Sequence, residues 1–260
     1  MLFVSCTQGS PEWFAARAGV TTASTFADAL SMVGGLDEKQ AKYVEVMLSG
    51  GTQAMALEQS GYKAPPKAES VVRALQGLPV GEPSSASLRL AMETAMELIS
   101  GEPYGDTFQT YAMRRGQEQE LFSRMRYEAR YGVIVDEAGL VTTDDRWFGY
   151  STDGFVEQDG CIEIKVPMDL SKVVNIIKTG DLSEYIHQIQ GGLWITGRKW
   201  CDFVMGIPGL ASLNNGNELY VKRVHRDEAF IESMEQGLLA HRMRVIGFEK
   251  LLRTPFTTNA

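Results

Sequence analysis

The stretch YSTDGFVEQDGCIEIKVP, residues 150–167, constrains the fold most, because it reads as a β-hairpin with charged residues in apolar strands. Asp159-Gly160 is a favourable two-residue turn, which sets the register of the hairpin. Side chains alternate along a strand, so Glu163 and Lys165 share one face. The register places Asp153 opposite the residue that follows Lys165. Because paired strands lie only ~5 Å apart, Asp153, Glu163 and Lys165 are expected to converge on one patch of the sheet.

Charged groups beside apolar ones are costly unless they pair or bind something. Two carboxylates on rigid strands form an oxygen site suited to Mg²⁺ or Mn²⁺, and the backbone carbonyl of Ile164 can complete it. A lysine beside a metal ion can position or help deprotonate water and can offset charge on a phosphate. This combination fits phosphodiester hydrolysis. The alternative is a surface ion pair between Glu163 and Lys165, with Asp153 as a turn residue, and the pattern alone does not decide between the two.

The rest of the chain alternates helical and strand patterns. One helix is predicted to begin at Pro11. Further helices are predicted over about 84–100, 110–131, 170–178, 183–197 and 227–253. Strands are predicted between 132 and 166 and between 200 and 226. This order predicts an α/β (mixed α+β) fold, in which a central mixed β-sheet with an antiparallel hairpin is flanked by helices. The chain, 1–260, is expected to form a single domain with a surface insertion at about 35–86.

The helix over 110–131 has apolar residues that we expect to face the core, namely Met113, Leu121, Phe122 and Met125. Glu120 lies beside this predicted apolar edge. The aromatic residues Trp13 and Phe14 are also expected to pack in the core rather than to stack on a base.

Composition limits the classes of function. The 260 residues carry a net charge of −8, which argues against a general nucleic-acid binder but not against a nuclease with a local basic surface. Three cysteines lie far apart without a CxxC pair, so neither a zinc knuckle nor a disulfide framework is expected, and an intracellular, cytoplasmic setting is favoured. No apolar run approaches the ~20 residues of a membrane span, and no signal peptide is recognised.

Four motifs in order resemble those of lambda exonuclease-like viral recombination nucleases in the PD-(D/E)XK superfamily. They are EWFAARAGVTTAS near the start, RRGQEQELF before the hairpin, STDG with EIKVP in the hairpin, and YIHQIQGGLWITG after it. Thr152 stands where proline is usual in that superfamily. The resemblance covers residues 11–30 and 87–205 and implies a restriction-endonuclease-like core.

The resemblance implies a role for each matching residue. Asp153, Glu163 and the Ile164 carbonyl would bind the metal, Lys165 would be the catalytic lysine, and Glu120 and Gln188 would complete the site from two helices. Arg17 and Ser24, with help from Ser151, would hold a terminal 5′-phosphate. Gln190 is expected to face elsewhere or to pack, and His187 to be structural.

The resemblance also implies an activity and partners. We expect a Mg²⁺-dependent exonuclease, with one or two ions and Mn²⁺ as a substitute, that digests one strand of linear double-stranded DNA from 5′ to 3′ and leaves 3′ single-stranded tails. The expected assembly is a trimeric ring that works beside a single-strand annealing protein in recombination. Two alternatives stay open, namely an endonuclease of restriction or repair type from the same superfamily, and a non-catalytic DNA clamp.

Overall fold

The computed structural model of the chain describes residues 1–78, 80–105 and 111–255. The chain divides into two compact units, one formed by Met1–Ala29 with Leu90–Ala260 and the other by Leu30–Arg89. The larger unit carries the residues of the predicted site. The predicted insertion at about 35–86 lies within the smaller unit and stays a prediction. No helix of the described part is long and apolar enough to cross a membrane.

The first sheet of the larger unit has four short strands. These are β1 (Leu2–Val4), β2 (Thr21–Thr22), β6 (Leu140–Thr142) and β7 (Phe148–Tyr150), in the order β1-β6-β7-β2. The pairs β1–β6 and β6–β7 are antiparallel, whereas β2 and β7 are parallel. This sheet therefore joins the amino-terminal segment to the strand that precedes the hairpin.

The second sheet has five strands, β5 (Val135–Asp136), β8 (Gly154–Val156), β9 (Gly160–Lys165), β10 (Trp200–Gly206) and β11 (Leu219–His225), in the order β11-β10-β9-β8-β5. The β8–β9 hairpin is antiparallel, and β10 lies parallel to β9. A parallel pair requires a crossover connection, and here two helices make it, α8 (Leu170–Thr179) and α9 (Ile186–Thr196).

Helices cover both faces of the second sheet. Helix α7 (Tyr111–Tyr131) packs on β9, β10 and β11, while α9 packs against β10, β7 and the long closing helix α10 (Glu228–Arg253). The apolar layer between α7 and the sheet contains Tyr127, Val135, Val156, Ile162, Ile164, Val204 and Leu219. Because the isoleucines of β9 face α7, Glu163 must face α9.

Further helical segments complete the chain. The larger unit contains α1 (Pro11–Arg17) and two 3-10 helices, Ala23–Thr25 and Pro208–Leu213. The helix α2 (Phe26–Leu30) directly follows Ala23–Thr25. The smaller unit contains β3 (Met32–Val33), paired with β4 (Glu82–Pro83), and the helices α3 (Glu38–Leu48), α4 (Gln53–Ser60) and α5 (Glu69–Leu75). Helix α6 covers Ser85–Ser100. The smaller unit has its own apolar core, in which Tyr43, Val44, Ala56 and Val71 are buried.

The glycine pair Gly191-Gly192 explains how α9 lies so close both to Phe26 of α2 and to Tyr150 of the first sheet. A Cβ atom at Gly191 would lie 2.6 Å from the ring of Phe26, and one at Gly192 would lie 2.5 Å from the ring of Tyr150. Side chains larger than hydrogen would push the helix away. The glycines thus fix the position of Gln188, one turn earlier on the same helix.

The predicted mixed α/β fold with a helix-flanked sheet and an antiparallel hairpin is confirmed. The predicted register of the hairpin is wrong. Val156 pairs with Gly160 and Gly154 with Ile162, so the connection consists of residues 157–159. The connection begins at Glu157, which adopts a left-handed conformation, φ 51°, so the chain starts to turn two residues before Asp159.

The predicted inner side of α7 is also wrong. Leu121, Phe122 and Met125 are exposed, and the side chain of Met113 lies outside the described residues. The helix packs on the sheet through Ser123 and Tyr127 instead, both of which are buried.

Candidate active site

The corrected register brings the two acidic residues of the hairpin closer than the sequence predicted. With Gly154 opposite Ile162, the next step outward places Asp153 opposite Glu163. The main chain then links them, because the amide N–H of Ile164 donates to Asp153 Oδ2 at 2.6 Å. Glu163 and Lys165 share a face of β9, as predicted, and the Lys165 ammonium donates to Glu163 Oε1 at 2.6 Å. The structure therefore brings together Asp153, Glu163 and Lys165.

Glu163 is a buried carboxylate held by three donors. Its side chain is 1% exposed, so it has lost nearly all contact with bulk water. Lys165 and the side-chain amide of Gln188 donate to Oε1, and the hydroxyl of Tyr150 donates to Oε2 at 2.9 Å. A buried carboxylate needs such partners, because desolvation of an unpaired ion costs several kcal/mol. Gln188 thus reaches Glu163 from α9.

Three acidic side chains influence one another here. Burial raises the pKa of Asp153 well above its usual value, and the neighbouring charge of Glu163 raises it further. Burial also raises the pKa of Glu120. The positive charge of Lys165 opposes this rise, and the negative charge of Glu163 adds to it. Glu120 comes from α7 and lines the same cleft of about 570 Å³ as Asp153 and Ile164. The structure therefore places Glu120 near the hairpin residues.

Lys165 is the cation of the cluster. Burial alone would lower the pKa of its ammonium group, but the charges of Glu163 and Asp153 and the hydrogen bond to Glu163 outweigh burial and raise it. Three carboxyl groups surround one ammonium, so the cluster carries an excess of negative charge when all are ionised.

The donor set fits a hard divalent cation. Among the described residues, no group of three or more histidine, cysteine, aspartate or glutamate side chains is arranged to hold a metal. Mg²⁺, however, is commonly bound through one or two carboxylates and keeps several waters. A carboxylate has about four acceptor positions, and the three recorded donors leave Glu163 one of them. Ile164 lines the cleft. Its carbonyl points to the same edge of β9 as its amide N–H, and that N–H donates to Asp153.

A second polar cluster lies beside Ser151. Arg17 donates from Nη2 to Thr22 Oγ1 at 2.9 Å and from Nη1 to Ser151 Oγ at 3.4 Å. Ser24 Oγ lies 3.2 Å from Thr22 Oγ1, and the side chain of Ser24 is exposed. Burial lowers the pKa of Arg17 to about 10, so the guanidinium remains charged at neutral pH. The structure thus brings together Arg17, Ser24 and Ser151, with Thr22 as a fourth member that the sequence analysis did not name.

Trp13 belongs to this second cluster, so its predicted place in the core is wrong. No residue of α1 is buried. The indole N–H of Trp13 donates to Ser151 Oγ at 2.9 Å, and the Arg17 guanidinium lies 4.2 Å from the centre of its ring. Phe14 packs edge-on against Trp13 at 4.9 Å. The signal was available, because an arginine four residues after a tryptophan on a helix can reach over its ring.

Tyr150 is the other site residue that the sequence analysis missed. It is almost fully buried, and burial followed by the charge of Glu163 raises the pKa of its hydroxyl well above the usual value. Sequence alone gives a tyrosine three residues before Asp153, without showing that the chain turns between them.

Two polar residues of α9 lie outside the site, as expected. Gln190 donates to the carbonyl of His225 at 2.8 Å and accepts from the amide of Asp227 at 3.0 Å, so it connects α9 to the start of α10. His187 packs against Phe230, and burial lowers the pKa of its imidazole.

The sequence matches one family profile. The YqaJ-like viral recombinase domain matches residues 70–199, which is half of the chain and includes Glu120, Asp153, Glu163, Lys165 and Gln188. No curated protein matches the chain.

Solved structures are similar over nearly the whole chain. An alkaline exonuclease from Laribacter hongkongensis, LHK-Exo, has 27% sequence identity and a TM-score of 0.66, with 94% of this chain and 96% of that chain covered. LHK-Exo in complex with dAMP has 28% identity, a TM-score of 0.67 and the same coverage. A phage-related exonuclease from Haemophilus somnus 129PT has 13% identity and a TM-score of 0.53, with 90% and 95% covered, and supports the fold alone.

Proposed function

This chain belongs to the YqaJ-like viral recombinase domain family, and from that premise we propose that it is a metal-dependent exonuclease acting on linear double-stranded DNA. It digests one strand from 5′ to 3′, releases mononucleotides and leaves a 3′ single-stranded tail for recombination. LHK-Exo, similar over nearly its full length, is an alkaline exonuclease and has been solved with dAMP, a mononucleotide. A mononucleotide is the kind of product that this proposal requires.

The observation that carries the proposal is the distance along the chain between the two polar clusters. Ser151 contacts Arg17, and Asp153 contacts the amide of Ile164 beside Glu163. Two residues of chain span at most about 7 Å. A strand end held by its 5′-phosphate at Arg17 would therefore have its first phosphodiester bonds beside Asp153. This arrangement favours cleavage near an end over cleavage within a strand.

The metal would be held by Asp153, Glu163 and the Ile164 carbonyl. When bound, a divalent cation supplies polarisation of the phosphate and an activated water. The chain's own residues orient the reactants. Lys165 would position the attacking water and offset charge that develops on the phosphate. Gln188 fixes the orientation of Glu163 through their hydrogen bond.

Glu120 and the second cluster complete the proposed roles. Glu120 would face the cleft from α7 and orient water near Asp153. Arg17 would grip the terminal phosphate with two parallel hydrogen bonds, for which its planar guanidinium is suited. Ser24 and Ser151 would add hydroxyl donors, and Trp13 would hold Arg17 in place beneath the phosphate.

The assembly and the protein partner remain proposals from the resemblance. A ring of three subunits around DNA would allow processive digestion by an acidic chain, since enclosure reduces the need for a strongly basic surface. A single-strand annealing protein would receive the exposed tail.

A Lys165→Ala variant tests the mechanism. On 5′-phosphorylated linear duplex DNA with Mg²⁺, we expect hydrolysis to fall by about 10²- to 10³-fold, because charge stabilisation at the reacting phosphate is lost. The matched control is Lys199→Ala, which removes an exposed lysine paired with Asp159 in the hairpin connection. Thermal melting of each variant checks the fold. Wild-type rates in the Lys165→Ala variant would remove the proposed mechanism.

The substrate tests the end-dependence. We expect wild-type protein to digest linear duplex, to slow when the 5′-phosphate is missing, and to leave closed circular DNA intact. Cleavage of the circle would instead support an endonuclease, and Mg²⁺-dependent DNA binding without hydrolysis would support a clamp.

A further inference from the structure

The cleft beside Asp153 contains a cation that no role above uses. Arg124 lines the cleft together with Glu120, Asp153 and Ile164, and it is the one lysine or arginine among the described residues that form the lining. Arg124 follows Glu120 by four residues, so both project from the same side of α7. The guanidinium therefore lies on the wall from which Glu120 faces the site.

The present partner of Arg124 is easily replaced. Its Nη2 donates to Glu137 Oε1 at 2.7 Å, and the side chain of Glu137 is 75% exposed, whereas that of Arg124 is 19% exposed. An ion pair with one partner in water contributes little to stability. Glu137 can return to water at small cost, whereas the side chain of Arg124 is largely covered by the protein.

The cleft needs positive charge if it is to accept a nucleic-acid strand. Glu120 and Asp153 both line it, and carboxylates repel phosphates. Arginine is the side chain best suited to reverse this repulsion, since its planar fork offers parallel, charge-assisted hydrogen bonds to phosphate oxygens. Arg124 has five N–H donors, and the bond that the described residues show for it, to Glu137, uses one of them.

We propose that Arg124 binds a backbone phosphate of the digested strand next to the bond that is cleaved, and that this phosphate replaces Glu137 as the partner of the guanidinium. The inference rests on the proposed function, because it takes the cleft as the place where the strand lies. It differs from the 5′-phosphate cluster at Arg17, because it concerns a phosphate within the strand.

The test compares the two partners of the ion pair. Affinity for a 5′-phosphorylated linear duplex oligonucleotide is measured with Mg²⁺ at several salt concentrations, with Lys165→Ala in every protein to prevent digestion. Arg124→Ala should weaken binding by about tenfold and should reduce the slope of log K against log[salt] by about 0.9, the value for one lost phosphate contact. Glu137→Gln should tighten binding by roughly two- to fivefold, because it frees Arg124.

Two further variants act as controls. Arg126→Ala removes an exposed arginine of the same helix, which pairs with Glu218 and does not line the cleft, and should change affinity less than about twofold. Arg124→Lys keeps the charge, so it should retain the salt slope but only part of the affinity.

The direction of the two effects decides the outcome. A merely structural ion pair predicts that Arg124→Ala and Glu137→Gln change affinity in the same direction and leave the salt slope unchanged, and this result would overturn the inference. If the wild-type chain fails to digest DNA while the two variants still shift binding in opposite directions, the proposed function fails and the phosphate contact stands.

Discussion

Tyr150→Phe tests how Glu163 is held in the site. The substitution removes one oxygen and leaves the ring that packs against α9. In the structure, that hydroxyl is the donor recorded for Glu163 Oε2, at 2.9 Å, and both residues are almost fully buried. After the change, Oε2 loses this donor in a place that water cannot easily reach.

The expected loss follows from the chemistry of that bond. A hydrogen bond to a charged group contributes about 1.5 to 3 kcal/mol, and the cost falls at the upper end when the acceptor stays buried without its partner. The larger unit contains roughly 200 residues, and its entropy of unfolding is on the order of 0.4 kcal/mol/K. The melting temperature should therefore fall by about 4 to 7 °C. If Glu163 binds the metal, loss of this orienting bond should also raise the Mg²⁺ concentration for half-maximal digestion by about tenfold or more.

Thermal melting and Mg²⁺ titration of digestion measure the two effects. The matched control is Tyr104→Phe, because Tyr104 is 59% exposed. We expect no measurable shift for that variant. A Tyr150→Phe protein with the melting temperature and Mg²⁺ dependence of the control would refute the view that the Tyr150 hydroxyl orients Glu163.

Two further predictions concern packing and pH. Gly192→Ala should destabilise the larger unit by about 1 to 3 kcal/mol in urea unfolding and should reduce digestion, because its Cβ would lie 2.5 Å from the ring of Tyr150. Gly247→Ala, in a helical position with nothing within 4 Å, should be neutral or stabilising, and equal effects of the two substitutions would contradict the packing argument. His241 is 0% exposed, and burial with two nearby arginines lowers its pKa from 6.5 to about 4. The unfolded chain binds this proton first, so the stability should be full above pH 6.5 and should fall by roughly 3 kcal/mol as the pH drops to 4. A His241→Gln variant should lose that part of the acid dependence in unfolding measured across this range.

Local patterns predicted the elements of the fold better than their packing. Alternation in residues 160–165 identified β9 and the shared face of Glu163 and Lys165, because strand periodicity is a property of the chain itself. The register depended on reading Asp159-Gly160 as the turn. Gly160 has another cause, since its Cβ would lie 2.1 Å from the ring of Trp200, so the glycine permits β10 to pass close by. That contact joins residues 40 positions apart, and no local pattern contains it.

The helix α7 shows the same limit. Its apolar residues suggested a buried face, but the helix packs through Tyr127 and through Ser123, for which Gly206 on β10 leaves space. A buried serine and an aromatic residue four positions apart give a weak periodic signal. The exposed Leu121 instead lines the cleft, so part of the apolar surface of α7 lies at the candidate site.

The residues proposed for the site were named from motifs, whereas the supporting residues required the structure. Asp153, Glu163, Lys165 and Gln188 stand at recognisable spacings. Tyr150 supports Glu163, and Trp13 and Thr22 support Arg17, through contacts that the fold brings together. Tyrosine, tryptophan and threonine occur both in cores and on surfaces, so their type and position do not distinguish support from ordinary packing.

The segment 150–153 explains why the two polar clusters lie together. Tyr150 donates to Glu163 on one side, while Ser151 accepts from Trp13 and Arg17 on the other. Asp153 accepts from the amide of β9. These residues keep their different partners only if the backbone of the segment stays in register with β9, and Thr152 holds it there. Its fully buried hydroxyl lies 3.0 Å from the Gly154 carbonyl and 3.1 Å from the Ile162 carbonyl. Where the superfamily usually has proline, which stiffens the chain through its ring, this chain has a threonine whose hydroxyl donates toward these carbonyls and accepts from the amide of Gly154 at 3.2 Å. The position requires a rigid backbone rather than a particular side chain, because one rigid segment sets the spacing between the polar cluster at Arg17 and the carboxylates.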